Sequence, residues 1–115
     1  MKKTIISVAG LAAVIALSFS VAAAQAASCP IKIGGLAPLS APGAVGGGEA
    51  MRDAMLFAER DINAAGGVLG CDVKVVIADT EGLPEKAAAV MEKLITQDGV
   101  VGVGGAYHSS VGVAS

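Results

Sequence analysis

Aromatic side chains are scarce in this chain of 115 residues, which has two phenylalanines, one tyrosine and no tryptophan. Past the first 26 residues only Phe57 and Tyr107 remain, so the bulky groups that usually anchor a small core are missing and aliphatic side chains must fill it. Histidine occurs once, at His108, with no second histidine or cysteine nearby in sequence to complete a metal set. His108 and Ser109 are adjacent, and no carboxylate partner is evident, so the sequence offers no nucleophile and base pair and no catalytic residue. No basic run is present either, which removes the electrostatic footprint of a nucleic-acid binder. Cysteine is limited to Cys29 and Cys71. Glycine is plentiful, but Gly46-Gly47-Gly48 is followed by Glu49 and not by lysine and a hydroxyl residue, so it is no phosphate-cradling loop. Gly102-Val103-Gly104-Gly105 resembles a dinucleotide fingerprint only weakly, because the third glycine is misplaced. Neither cofactor nor metal is expected.

Lys2 and Lys3, an apolar body over residues 5–21 and the small-x-small site Ala24-Gln25-Ala26 read as an export signal, cleaved near Ala26. A membrane anchor is the rival reading, since the stretch approaches the roughly 20 residues that span a bilayer. Ser7, Gly10, Ser18 and Ser20 dilute it. Residues 1–26 are thus expected to be a signal peptide and residues 27–115 the mature domain. Loss of Lys2 and Lys3 takes the formal charge from −2 to −4. A mildly acidic domain of this kind points to a small molecule or another protein as partner.

Residues 31–36 suit a short buried strand that leaves the sheet at Pro38. A loop over residues 37–48, rich in proline and glycine, can bring backbone close to a ligand or simply connect. Over residues 49–64, Met51, Ala54, Met55, Ala58 and Ile62 recur at helical spacing, and Gly66-Gly67 ends the helix. A second strand covers residues 73–78, closed by Asp79-Thr80. Pro84 and Glu85 suit the first turn of a second helix whose buried face is Ala87, Val90, Met91, Leu94 and Ile95. Asp98-Gly99 turns into a third strand over residues 100–103. Strand and helix alternate in units of about thirty residues, which predicts an α/β fold: a parallel, three-layer βαβαβ unit with its strand-to-helix turns on one edge. Open parallel sheets bind ligands on that edge, where strand order reverses. The first and third turns share a crevice there if the third strand lies beside the first.

Cys29 and Cys71 each lie two residues ahead of a strand. Parallel neighbours in register bring them to one level, and strands roughly 5 Å apart meet the Cα separation a disulfide requires. An oxidising compartment favours the bridge. The alternative is a lipid-modified Cys29, because Ala26-Ala27-Ser28-Cys29 loosely resembles a lipoprotein cleavage box, although it lacks the usual leucine.

The stretch GVVGVGGAYHSSVGVAS, residues 99–115, is the most informative. Strand and glycine turn deliver Tyr107, His108, Ser109 and Ser110 to the start of a third helix, where free amides and the positive dipole end read anions. Ser109 and Ser110 fit a helix N-cap as well as a ligand contact. Termination at Ser115, a turn or two into that helix, suggests the opening piece of something larger.

The segments DINAAGGVLG and GVVGVGGAYHSS, within residues 31–115 as a whole, resemble the N-terminal part of the periplasmic leucine/isoleucine/valine-binding family of ABC importers. The resemblance implies the first part of lobe 1 of a two-lobed periplasmic binding protein fold. It implies an exported, periplasmic protein, not an enzyme, that closes on an amino acid and serves ABC permease subunits in the membrane. Carried over, it puts Ser109, with Ser110 or His108, on the ligand carboxylate, and sets Tyr107 and the Gly46 to Gly48 loop beside the pocket. The chain departs from the family in having glycines where the first loop often holds an aromatic. A ligand-sensing domain of a receptor or regulator uses the same fold, and a Rossmann-type nucleotide-binding enzyme is a further alternative.

Overall fold

The computed structural model describes residues 29–115, so the expected signal peptide and its cleavage site lie outside the described residues. Strand β1 (Ile31–Ala37), helix α1 (Val45–Ala64), strand β2 (Val73–Asp79), helix α2 (Pro84–Lys93), a π-helical turn (Leu94–Asp98), strand β3 (Gly102–Gly105) and helix α3 (Ser109–Ala114) follow in order. The three strands form one sheet in the order β2-β1-β3, and both pairings are parallel. β1 is therefore central, with Ile31 opposite Val73 on one side and Ile33 opposite Gly102 on the other.

Two glycines in β1 show why the unit is layered. A methyl group on Gly35 would stand 2.6 Å from Met55 Sδ of α1, and one on Gly34 would stand 3.0 Å from Leu94 Cδ1 beyond α2. Adjacent strand residues face opposite sides of a sheet, so α1 covers one face and α2 the other. The core lies mainly on the α2 face, where Leu36, Ala87, Leu94 and Val111 are buried. The α1 face is thinner: Met51 and Met55 are half-buried, whereas Ala54, Ala58 and Ile62 remain exposed.

Helix α1 begins four residues earlier than its apolar pattern suggests, so that Gly46, Gly47 and Gly48 form its first turn. Each glycine costs a helix about 1 kcal/mol relative to alanine, yet Gly48 must be small, because a Cβ there would lie 2.0 Å from the Pro38 carbonyl oxygen. Tertiary approach overrides propensity. At the other end, Gly66 and Gly67 adopt positive φ and the Gly67 amide bonds to the Ile62 carbonyl at 3.0 Å, which stops the helix as expected.

Helix α2 starts at Pro84, with Glu85 in its first turn and Lys93 in its last. The π-helical turn then seats Leu94 in the core but leaves Ile95, expected on the buried face, 56% exposed. Strand β3 spans residues 102–105, two residues later than the sequence pattern. Its approach is anchored by the Val101 amide on the Lys32 carbonyl at 2.9 Å.

Cys29 and Cys71 form a disulfide with a Cα separation of 5.2 Å. It crosses the N-terminal ends of β1 and β2, opposite the strand-to-helix turns. A sulfur engaged in this bond has no valence left for a lipid thioether, so the lipidated alternative is excluded for the bridged chain.

Candidate functional site

The connections after β1, β2 and β3 all leave the C-terminal edge of the sheet and converge. Asp79, at the end of β2, ties the first two: its Oδ1 accepts from the Leu39 amide at 2.8 Å and the Glu81 amide at 2.9 Å, and its Oδ2 accepts from the Ser40 hydroxyl. Burial raises the Asp79 pKa, but these donors outweigh it and hold the carboxyl below its ordinary value. Thr80, fully buried, takes the Gly82 amide on Oγ1 at 3.3 Å and donates its own amide to the Ala37 carbonyl at 3.0 Å. The sequence pattern marks Asp79 and Thr80 only as strand-end punctuation. The signal for Asp79 would have been an acid at a strand end facing a loop full of free amides, but its partners in that loop, Leu39 and Ser40, lie 40 and 39 residues away.

The third connection is tight. Gly105 has φ 119° and Ala106 φ 77°, and a Cβ at Gly105 would lie 2.3 Å from the Leu36 carbonyl oxygen. Only glycine fits there, and the sharp reversal carries Tyr107 and His108 over the other two loops. Gly47 lies directly under the Tyr107 ring, since an added methyl would reach Cε2 at 2.4 Å. Gly82 lies against His108, whose Cε1 would be 2.9 Å from such a methyl, and also against Gly43. Tyr107 and His108 meet edge to face with ring centroids 5.3 Å apart. Two loops and the first turn of α1 are thus glycine-bearing where the third connection rests on them.

Tyr107 is about half exposed, whereas His108 is mostly covered and its Nδ1 is buried without a hydrogen-bond partner among the described residues. The N-cap position of α3 belongs to His108, which makes no side-chain capping bond. Ser109 and Ser110 are instead the first two helical residues, both exposed, so the expectation that they cap the helix is corrected. The helix begins one residue earlier than a capping Ser109 requires. The first intrahelical bonds are those of the Val111 and Gly112 amides to the His108 carbonyl at 3.1 Å, so the Ser109 and Ser110 amides precede the ladder and point outward with the positive dipole end. Gly48 is brought to the same end of the molecule but is buried beneath Pro38, with Gly46 and Gly47 nearer the opening. Among the described residues no group of three or more histidine, cysteine, aspartate or glutamate side chains could hold a metal ion.

β1 sends its chain to β2 on one side and pairs with β3 on the other, so strand order reverses between β1 and β3, directly below Tyr107 to Ser110. That is the position at which an open parallel sheet receives a ligand. Residues 30–115 match the family described as periplasmic binding protein. The chain belongs to this family. Among its relatives, an amino acid binding protein of Pseudomonas aeruginosa is 40% identical over 80 residues, covering 70% of this chain and 21% of the relative. The Leu/Ile/Val-binding protein homolog 7 of Brucella abortus is 36% identical over 103 residues, covering 86% of this chain and 25% of the relative. Of solved structures, the branched-chain amino acid transporter substrate binding protein LivJ from Streptococcus pneumoniae, in complex with isoleucine, superposes with a TM-score of 0.68 at 35% identity. That match covers 73% of this chain and 24% of LivJ. The chain therefore spans about a quarter of the length of the family members it resembles, and their fold agrees with the parallel α/β architecture described above.

Proposed function

We propose that this chain is the first part of lobe 1 of an exported, periplasmic solute-binding protein that serves an ABC importer and takes branched-chain or related amino acids by their carboxylate. The observation that carries the reading is the exposed pair Ser109 and Ser110 at the start of α3, beside the β1/β3 reversal, in a chain whose relatives are named for amino acids. Hydroxyl and amide donors at a helix start bind a carboxylate without forming a covalent bond, and the dipole adds to the attraction. Tyr107, half exposed, would flank the aliphatic part of the ligand, with the start of α1 around Gly48 below it. His108 would set the height of the turn over Gly82. Closure of a second lobe would exclude water and strengthen these contacts. The full-length protein would then present its closed form to the permease subunits.

Amide chemical shifts of the chain, titrated with millimolar ligand, test this. Leucine should shift the Ser109 and Ser110 amides, and leucinol, which lacks the carboxylate, should not. Equal shifts with both ligands, or shifts confined to other elements, would refute the carboxylate reading. A response to NAD or ATP with none to leucine would move the assignment to a nucleotide site.

A further inference from the structure

Alternate residues of a parallel strand direct their backbone groups to the same neighbour. The Ile31 amide bonds to the Asp72 carbonyl at 2.8 Å, so the backbone groups of Val73 and Val75 point away from β1 and out of the sheet. A row of this kind is a template for another strand. β2 is also the segment most suited to such pairing, because VKVVIA, residues 73–78, is β-branched and carries a single charge.

The N-terminal end of the row is already occupied. Asn63, near the end of α1, accepts the Val73 amide on Oδ1 at 2.7 Å and donates Nδ2 to the Val73 carbonyl at 2.9 Å. This is the two-point contact a neighbouring strand residue would make. One turn earlier, Glu59 accepts the Val75 amide at 2.5 Å and pairs with Lys74 Nζ at 3.2 Å. The two periods coincide: four helical residues rise about 6 Å, and two strand residues advance about 6.6 Å. A helix running opposite to the strand can therefore address successive outward residues. At the other edge, no side chain among the described residues bonds to the backbone of β3, and the preceding Val101 is 74% exposed.

We infer that Asn63 and Glu59 act as a surrogate strand that closes the Val73 to Val75 end of the β2 edge to strand addition by a second copy of this chain. Sedimentation velocity and amide hydrogen exchange on the disulfide-bonded full chain test it. In the double variant N63A/E59A, the Val73 and Val75 amides should exchange about tenfold faster at low concentration, as expected for a lost hydrogen bond. The variant should also sediment as dimers or larger species where the wild type is unchanged. A folded double variant that sediments like the wild type overturns the inference. E59Q retains an acceptor oxygen without the charge and should behave as wild type. Association of E59Q equal to that of E59A would show that charge alone guards the edge, which also overturns it. If the double variant does not fold, the single variants decide: N63A should free Val73 and E59A should free Val75, each with increased association. Unchanged exchange and association in both defeats the inference.

Discussion

Asp79 accepts the amide of Leu39 at 2.8 Å, so the end of the edge strand fixes the loop that follows the central one. The bond joins residues 40 positions apart and sets the floor on which Tyr107 and His108 rest. Its loss affects the site as well as stability. Asp79→Ala removes the acceptor for two amides and a hydroxyl, and should destabilise the chain by about 3 kcal/mol at neutral pH, measured by urea unfolding.

The same carboxylate gives the chain an acid-sensitive component. Because its folded pKa lies below the unfolded value, its contribution is present above the unfolded pKa and is lost as pH falls through the folded one. The stability gap between wild type and Asp79→Asn should therefore be widest at neutral pH and narrow as pH falls through the lowered folded-state pKa. A gap that widens on acidification would contradict this origin. Glu59 acts in the same direction: the Val75 amide is the main cause of its lowered pKa, opposed by burial and aided by Lys74.

Two neighbouring glycines should respond differently to the same methyl group. In Gly48→Ala the added carbon meets the backbone oxygen of Pro38, which cannot yield, and a loss of about 2 to 3 kcal/mol is expected. In Gly47→Ala it meets the ring of Tyr107, which is half exposed and can swing away, so stability should change by less than about 1 kcal/mol. The chain has one tyrosine and no tryptophan. Tyrosine fluorescence should accordingly report the ring displacement in Gly47→Ala.

Reduction of the Cys29–Cys71 bridge opens a loop with a sequence separation of 42 residues. On the chain-entropy model this should cost about 4 kcal/mol, a large share of the stability of so small a domain. Unfolding with and without reductant measures it, and intact mass under non-reducing conditions verifies the bond. Two free thiols in periplasmic material would exclude the bridge in the cell.

With about a quarter of the relatives' length, the chain should bind leucine only weakly, because a carboxylate held on one side keeps most of its water. Calorimetry should show no micromolar affinity. A micromolar signal would mean that the described residues make a complete pocket.

The alternation of strands and helices was legible because burial imposes period 2 or 3.6 on apolar residues, and this holds wherever an element packs on a single face. Parallel order followed from it; the cysteine pairing stood beside a lipidated alternative, and the shared edge of the first and third turns depended on β3 lying beside β1. What the periodicity could not contain were partnerships set by distant neighbours. Three glycines in a row read as loop until the Pro38 carbonyl is seen to require the last of them, Gly48, inside α1. Asp79 reads as a strand end until Leu39 and Ser40 arrive from 40 and 39 residues away. Asn63 and Glu59 gain their roles only where β2 presents an outward edge beside them. Local pattern determined which elements form, since propensity and periodicity act within a few residues. Only the tertiary structure decided which polar groups meet, because hydrogen bonds depend on positions in space that short-range sequence does not encode.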